Sequence, residues 1–156
     1  MVFTYTDKQL NELNQGKNVY SSNPEYAERK GYKIVTPSPK NKGETNTIIS
    51  DGQEFRVVAT KSDTETGFDG LAVAPIVNGK PDYKNVAVIA AGTDPDSPVN
   101  KSMFVSRDVN SAIIAKKMYL SPQYKVADQF VKEIMDDPRY EVSQLSGYSQ
   151  GSYMLK

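Results

Sequence analysis

Gly147-Tyr148-Ser149-Gln150-Gly151, whose serine stands seven residues before the end of a 156-residue chain, has the pattern G-x-S-x-G. A serine held this way can attack an acyl carbonyl. The two glycines let a strand turn sharply into a helix, so the hydroxyl stands exposed at the apex. In that geometry the Gln150 N–H faces the developing oxyanion, and the positive end of the following helix adds to its pull. Composition alone would produce the pattern in roughly one chain in twenty of this length, so its context must carry the argument. A strand-like segment runs directly into Gly147, and Ser152-Tyr153-Met154-Leu155-Lys156 follows as a helix start. The plainer alternative is a glycine-serine turn at a strand end with no catalytic role.

The rest of the composition narrows the chemistry. The chain has no cysteine, which removes disulfides, thiolate metal sites and cysteine nucleophiles. It also has no histidine, and so lacks the commonest general base and the commonest zinc ligand. Lysine plus arginine equals aspartate plus glutamate at 19 each, leaving no global field to attract nucleic acid or an anionic membrane. No apolar run approaches the roughly 18 residues of a membrane span, and residues 1–7 lack a basic start with an apolar block. The expectation is a soluble protein with no nucleic-acid partner, compatible with bacterial export that uses no cleavable leader. No cofactor is expected. Asp94 and Asp96 are interrupted by Pro95 and Pro98 and read as a solvated turn, not a calcium loop.

Positioning a serine requires a scaffold, and the pattern supplies one. With 38% hydrophobic residues and ten tyrosines, the chain is composed like a globular domain. Thr6-Asp7-Lys8-Gln9 has the form of a capping box, and the helix it opens is expected to reach about Gln15 and stop at Gly16. Asn23-Pro24 and Gly31 bracket a second helix over 24–30. Thr36 to Thr47 is polar, broken by Pro37 and Pro39, and reads as loop. Residues 1–46 thus form an N-terminal region of helices and polar loop, and 47–156 the sheet-bearing region.

From Thr47 the period becomes that of strands. Thr47–Ser50, the Asp51-Gly52 turn and Glu54–Ala59 read as a hairpin. Leu71–Val77 and Asn85–Ala91 read as further strands, and Val86-Ala87-Val88-Ile89-Ala90-Ala91 is apolar on both faces, as in a central strand covered on both sides. Ser106 to about Leu120 has helical character. A helix over 122–136 carries Val126, Ala127, Phe130, Val131 and Ile134 on one stripe. Tyr140–Ser146 completes a strand, helix, strand crossover, with Tyr119, Tyr124 and Tyr140 as half-buried packing residues and Lys116-Lys117 on a solvated face. The fold class is α/β, with a mixed or mainly parallel sheet, flanking helices, strand 86–91 near its centre and strand 140–146 beside or close to it.

In order and approximate spacing, three of these features resemble the class 3 lipases of the α/β-hydrolase superfamily. They are the strand ending in Gly92-Thr93, the helix 122–136 and the strand entering Gly147, so the resemblance covers about residues 67–156. It implies a partial α/β-hydrolase-like fold, an ester or lipid substrate, Ser149 as nucleophile, and an oxyanion hole from Gln150 with Thr93 or Asp94. Tyr148, Gln150 and Ser152 depart from the histidine, leucine and glycine usual there, and the pentapeptide is more similar to that of cutinases. In this superfamily the acid and the histidine follow the serine, so both are expected beyond Lys156. A chain stopping there would leave a sheet edge and apolar surface open to self-association or to a C-terminal half. The alternative is a non-catalytic, lipase-like binding module.

Overall fold

The computed structural model describes residues 3–91, 105–106 and 122–147. Helix α1 (Asp7–Leu13) begins with the expected capping box: Gln9 N–H donates to Thr6 Oγ1 at 3.1 Å, and Thr6 N–H donates to Gln9 Oε1 at 2.9 Å. It ends two residues short of expectation. Asn14 caps it, and Gly16 opens the short helix α2 (Gly16–Val19) instead of acting as a stop. A 3-10 turn (Tyr20–Ser22) follows, then α3 (Pro24–Lys30), which has the Asn23 cap and the left-handed Gly31 at φ 73°. The polar stretch after it is not wholly loop. β1 (Ile34–Val35) and β2 (Glu44–Thr45) pair in parallel across it.

The main sheet contains β3 (Thr47–Ser50), β4 (Gln53–Asp63), β5 (Phe68–Val77), β7 (Val86–Ala91), β9 (Val142–Gly147) and β8 (Val105–Ser106), in that spatial order. The two-residue β6 (Lys80–Pro81) pairs with β5. Asp51 (φ 49°) and Gly52 (φ 75°) turn β3 into β4, and Asn78 (φ 52°) and Gly79 (φ 79°) turn β5 into β6. These are the positive angles that two-residue hairpins require.

The sheet is mixed, not mainly parallel. β7 with β9 is its one parallel pair among the described residues, and the other pairs are antiparallel. β7 lies inside the sheet with β9 directly beside it, as the apolar run and the crossover pattern imply. Ser106 belongs to β8, which pairs with β9 and covers Leu145 and Ser146, so the edge of β9 is not fully open. The remainder of the expected helix to Leu120, with Lys116, Lys117 and Tyr119, lies outside the described residues.

Side chains alternate along the strands and feed two cores. On one face Leu71, Val73, Ala87 and Ile89 pack with Phe55, Val57 and residues of the N-terminal helices, including Leu10, Leu13, Val19 and Tyr20. On the other, Phe68, Ala72, Ala74, Val86, Val88, Ala90 and Leu145 pack under α4 (Pro122–Asp136) through Ala127, Phe130, Val131 and Ile134. Each large apolar side chain so buried contributes about 1.5–3 kcal/mol, and helices on both faces account for the wholly apolar sequence of β7. Tyr140, half-buried against Tyr83 with ring centroids 5.4 Å apart, plays the packing role expected of it.

Gly70 makes the close approach of α4 possible. A Cβ there would lie 2.6 Å from the Phe68 ring and 3.0 Å from the Phe130 ring, and both rings are buried. Gly70→Ala is expected to overpack this face and destabilise the protein by about 1–3 kcal/mol, read as a lower midpoint in chemical denaturation. An unchanged midpoint would show that the α4 face is looser than described.

Candidate active site at the carboxyl edge of the sheet

Of the residues singled out for chemistry, Gly147 alone lies within the described set. It closes β9 and pairs with Ala90. Ser149, Gln150, Gly151, Thr93 and Asp94 lie outside the described residues. What is positioned is the pair of strands that carries them. β7 and β9 run parallel in the register Val88 opposite Leu145, Ile89 opposite Ser146 and Ala90 opposite Gly147. Both strands therefore end at one edge of the sheet, about 4.8 Å apart. Thr93 follows Ala91 by two residues, and Ser149 follows Gly147 by two. In α/β sheets ligands bind outside the carboxyl ends of parallel strands.

Two polar groups that the sequence did not single out stand at the same edge. The first is Asn14, the cap of α1. Its amide nitrogen donates to Leu10 O at 2.8 Å and to Ser146 Oγ at 2.6 Å, tying the helix to the residue before Gly147. Ser146 is buried, and the Asn14 Oδ1 atom is buried with no hydrogen-bond partner among the described residues.

The second is Asp69, the one buried carboxylate among the described residues, 5% exposed. β5 places it opposite Ala91, the last residue of β7. Its Oδ1 accepts from Ser62 Oγ at 2.8 Å and from Asn23 Nδ2 at 3.2 Å. The same Asn23 caps α3 by accepting from Tyr26 N–H at 3.2 Å. A β-bulge at Val58 sets this arrangement: Val57 pairs with Val73, Ala59 with Ala72, and so Ser62 with Asp69. Without the extra residue Lys61 would face Asp69 instead. The bulge thus gives the carboxylate a hydroxyl neighbour and leaves the lysine exposed. Burial raises the Asp69 carboxyl above its ordinary range, and the bonds from Ser62 and Asn23 offset this only in part.

The signal for Asp69 was a charged residue in phase with the apolar Leu71 and Val73. A strand taken to begin at Leu71 missed it. The bond from Asn14 to Ser146 spans 132 positions and has no local sequence signal.

Among the described residues no group of three or more His, Cys, Asp or Glu side chains converges as a metal site, and no helix is long and apolar enough to cross a membrane. The chain matches no protein-family model, no curated protein and no solved structure.

Asp69 also has a thermodynamic signature. Its folded pKa lies above the unfolded value of about 3.9, so the native state holds its proton more tightly. Its favourable contribution is complete below the unfolded pKa and is lost as pH rises through the folded one. Asp69→Asn keeps an acceptor for Ser62 and Asn23 but carries no charge. Its stability relative to the parent is therefore expected to increase between pH 4 and 8, measured by urea denaturation at each pH. A difference independent of pH would contradict the raised pKa.

Proposed function

We propose that this chain carries the nucleophile and oxyanion side of a serine ester hydrolase of the lipase or phospholipase type, with Ser149 as nucleophile. The observation that supports the reading is the parallel register of β7 and β9. It brings the G-x-S-x-G strand and the strand ahead of Gly92-Thr93 to one edge of the sheet as neighbours. Acyl transfer needs that adjacency, because one donor of an oxyanion hole follows the nucleophile and the other comes from a separate strand-end loop.

In the proposed reaction Ser149 Oγ attacks the acyl carbonyl carbon while a base takes the hydroxyl proton. The N–H groups of Gln150 and of Thr93 or Asp94 hold the oxyanion. Collapse expels the alcohol, which takes the proton from the base, and water then releases the acid from the acyl-serine by the same steps. The sequence has no histidine, so a histidine base would come from outside these 156 residues.

That same lack of histidine favours a second reading, a lipase-like module that binds a partner and hydrolyses nothing. The two separate in an assay of short- and long-chain esters with the complete protein and its Ser149→Ala variant. The hydrolase reading predicts activity in the parent and a loss of about 10³-fold or more in kcat in the variant, with the fold unchanged. No ester hydrolysis by the complete protein, or an alanine variant as active as the parent, would leave the binding module.

A further inference from the structure

The equal numbers of cations and acids over the whole chain conceal a local excess. From Arg29 to Ser50 there are five cations, Arg29, Lys30, Lys33, Lys40 and Lys42, and one acid, Glu44. All five cations are exposed, and none forms a salt bridge with another described residue. The fold gathers them at one place. α3 ends at Lys30, the left-handed Gly31 turns the chain, and Lys33 directly precedes β1. β1 and β2 run parallel with Ile34 opposite Glu44, so Lys33 and Lys42 lie off the same end of the pair. Lys40 is drawn toward that end by Glu44, whose carboxylate accepts from Lys40 N–H at 2.7 Å and from Asn41 N–H at 3.1 Å. The local acid is thus occupied by backbone donors rather than by a lysine ammonium.

Tyrosines run alongside these charges. The Tyr26 ring centroid is 4.8 Å from that of Tyr20 and 6.3 Å from that of Tyr32. Arg29 Cζ and Lys30 Nζ lie over the Tyr26 ring, 5.3 and 5.9 Å from its centroid. Tyr20 is buried and anchors the row, whereas Tyr26 and Tyr32 are half-buried. Tyr26 therefore holds two cations in place, and Tyr32 has Tyr26 as its one ring neighbour among the described residues. Independently of the hydrolase reading, we infer that this face binds single-stranded nucleic acid, its cations holding phosphates and Tyr32 stacking on a base. A cationic surface with aromatic rings in it suits a strand whose bases are unstacked. Reading a duplex requires a helix or a β-ribbon that enters a groove, and here α3 has seven residues and β1 and β2 two each. A lipid surface would favour apolar side chains that insert, yet the exposed large apolar residues among those described are Ile49, Val77 and Met135, none of them between Arg29 and Lys42. Balanced charge over the chain argues against a long-range field, not against a local one.

The test is fluorescence anisotropy of a fluorescein-labelled oligothymidylate of about 12 nucleotides, titrated with the protein at several salt concentrations. A duplex of the same length, inorganic polyphosphate and phosphatidylserine vesicles serve as competitors. The single strand is expected to bind saturably and to outcompete all three. Five phosphate contacts imply binding about 100-fold weaker at roughly 200 mM salt than at roughly 50 mM. Lys33→Gln combined with Lys42→Gln is expected to reduce the logarithmic salt slope by about 1.4. Tyr32→Ala is expected to weaken binding at least about fivefold with the slope unchanged, and Tyr32→Phe to restore it. Lys125→Gln, on α4 across the sheet, should match the parent. No binding at the lower salt overturns the inference, as does a salt slope that the double lysine variant leaves unchanged, which decides the matter alone if Tyr32→Ala does not fold. Polyphosphate competing as well as the oligonucleotide, with Tyr32→Ala at parental affinity, would reduce the face to a general polyanion contact. Stronger competition by the vesicles would make it a membrane face, and by the duplex a duplex-binding one; each of these results overturns the inference.

Discussion

The hydrogen-bonded parallel pairing of β7 with β9 is the constraint on which the other arrangements depend. An antiparallel partner can follow through a tight turn, but a parallel one requires the chain to cross back over the sheet. Here α4 is part of that crossing, and it covers one face with Ala127, Phe130, Val131 and Ile134. The opposite face must then be closed by something else. α1, α2, the 3-10 turn and α3 do so, with Leu10, Leu13, Val19 and Tyr20 over Val73, Ala87 and Ile89. β7 is consequently apolar on both sides, and polarity in this part of the molecule is pushed to the ends of the strands.

Each end is held by side chains from distant parts of the chain. At the start of β7, Tyr5 donates its hydroxyl to Asn85 O at 2.7 Å, and Ser143 Oγ meets Asn85 Oδ1. At the other end Asn14 grips Ser146, and Asn23 and Ser62 grip Asp69. The N-terminal helices therefore do more than cover the core. Their caps reach the sheet: Asn14 bonds to Ser146 of β9, and Asn23 bonds to Asp69 of β5, opposite the last residue of β7. Helix caps and site edge are built from the same amides, so the position of α1 and α3 is coupled to that of Ser146 and Asp69.

Much of the scaffold was readable where the signal is local. Thr6 with Gln9, Asn23 with Pro24, and the Asp51-Gly52 and Asn78-Gly79 turns act within a few residues, and each forms as their chemistry dictates. The run Val86–Ala91 announced a strand buried on both faces, and the 122–136 stripe announced the helix over it. Features set by tertiary partners were not readable. Gly16 starts a helix because Asn14 has already ended the previous one, β4 continues to Asp63 because a bulge keeps it in register with β5, and Ser106 is a strand residue because β9 offers it an edge. For the candidate site, the motif pointed to Ser149 as a candidate nucleophile outside the described residues, and the polar residues at the edge where β9 ends come from five separated segments. Only the folded sheet brings Asn14, Asn23, Ser62, Asp69 and Ser146 to one face of one edge.

The register of β7 against β9 decides whether the Gly92-Thr93 and Gly147–Gly151 segments can serve one site. It is measured most directly by interstrand nuclear Overhauser effects in an isotopically labelled sample. The account predicts backbone cross-peaks linking Val88 with Leu145 and Ala90 with Gly147, in the pattern of parallel strands. An antiparallel pattern, a shifted register or no contact between these strands would contradict it.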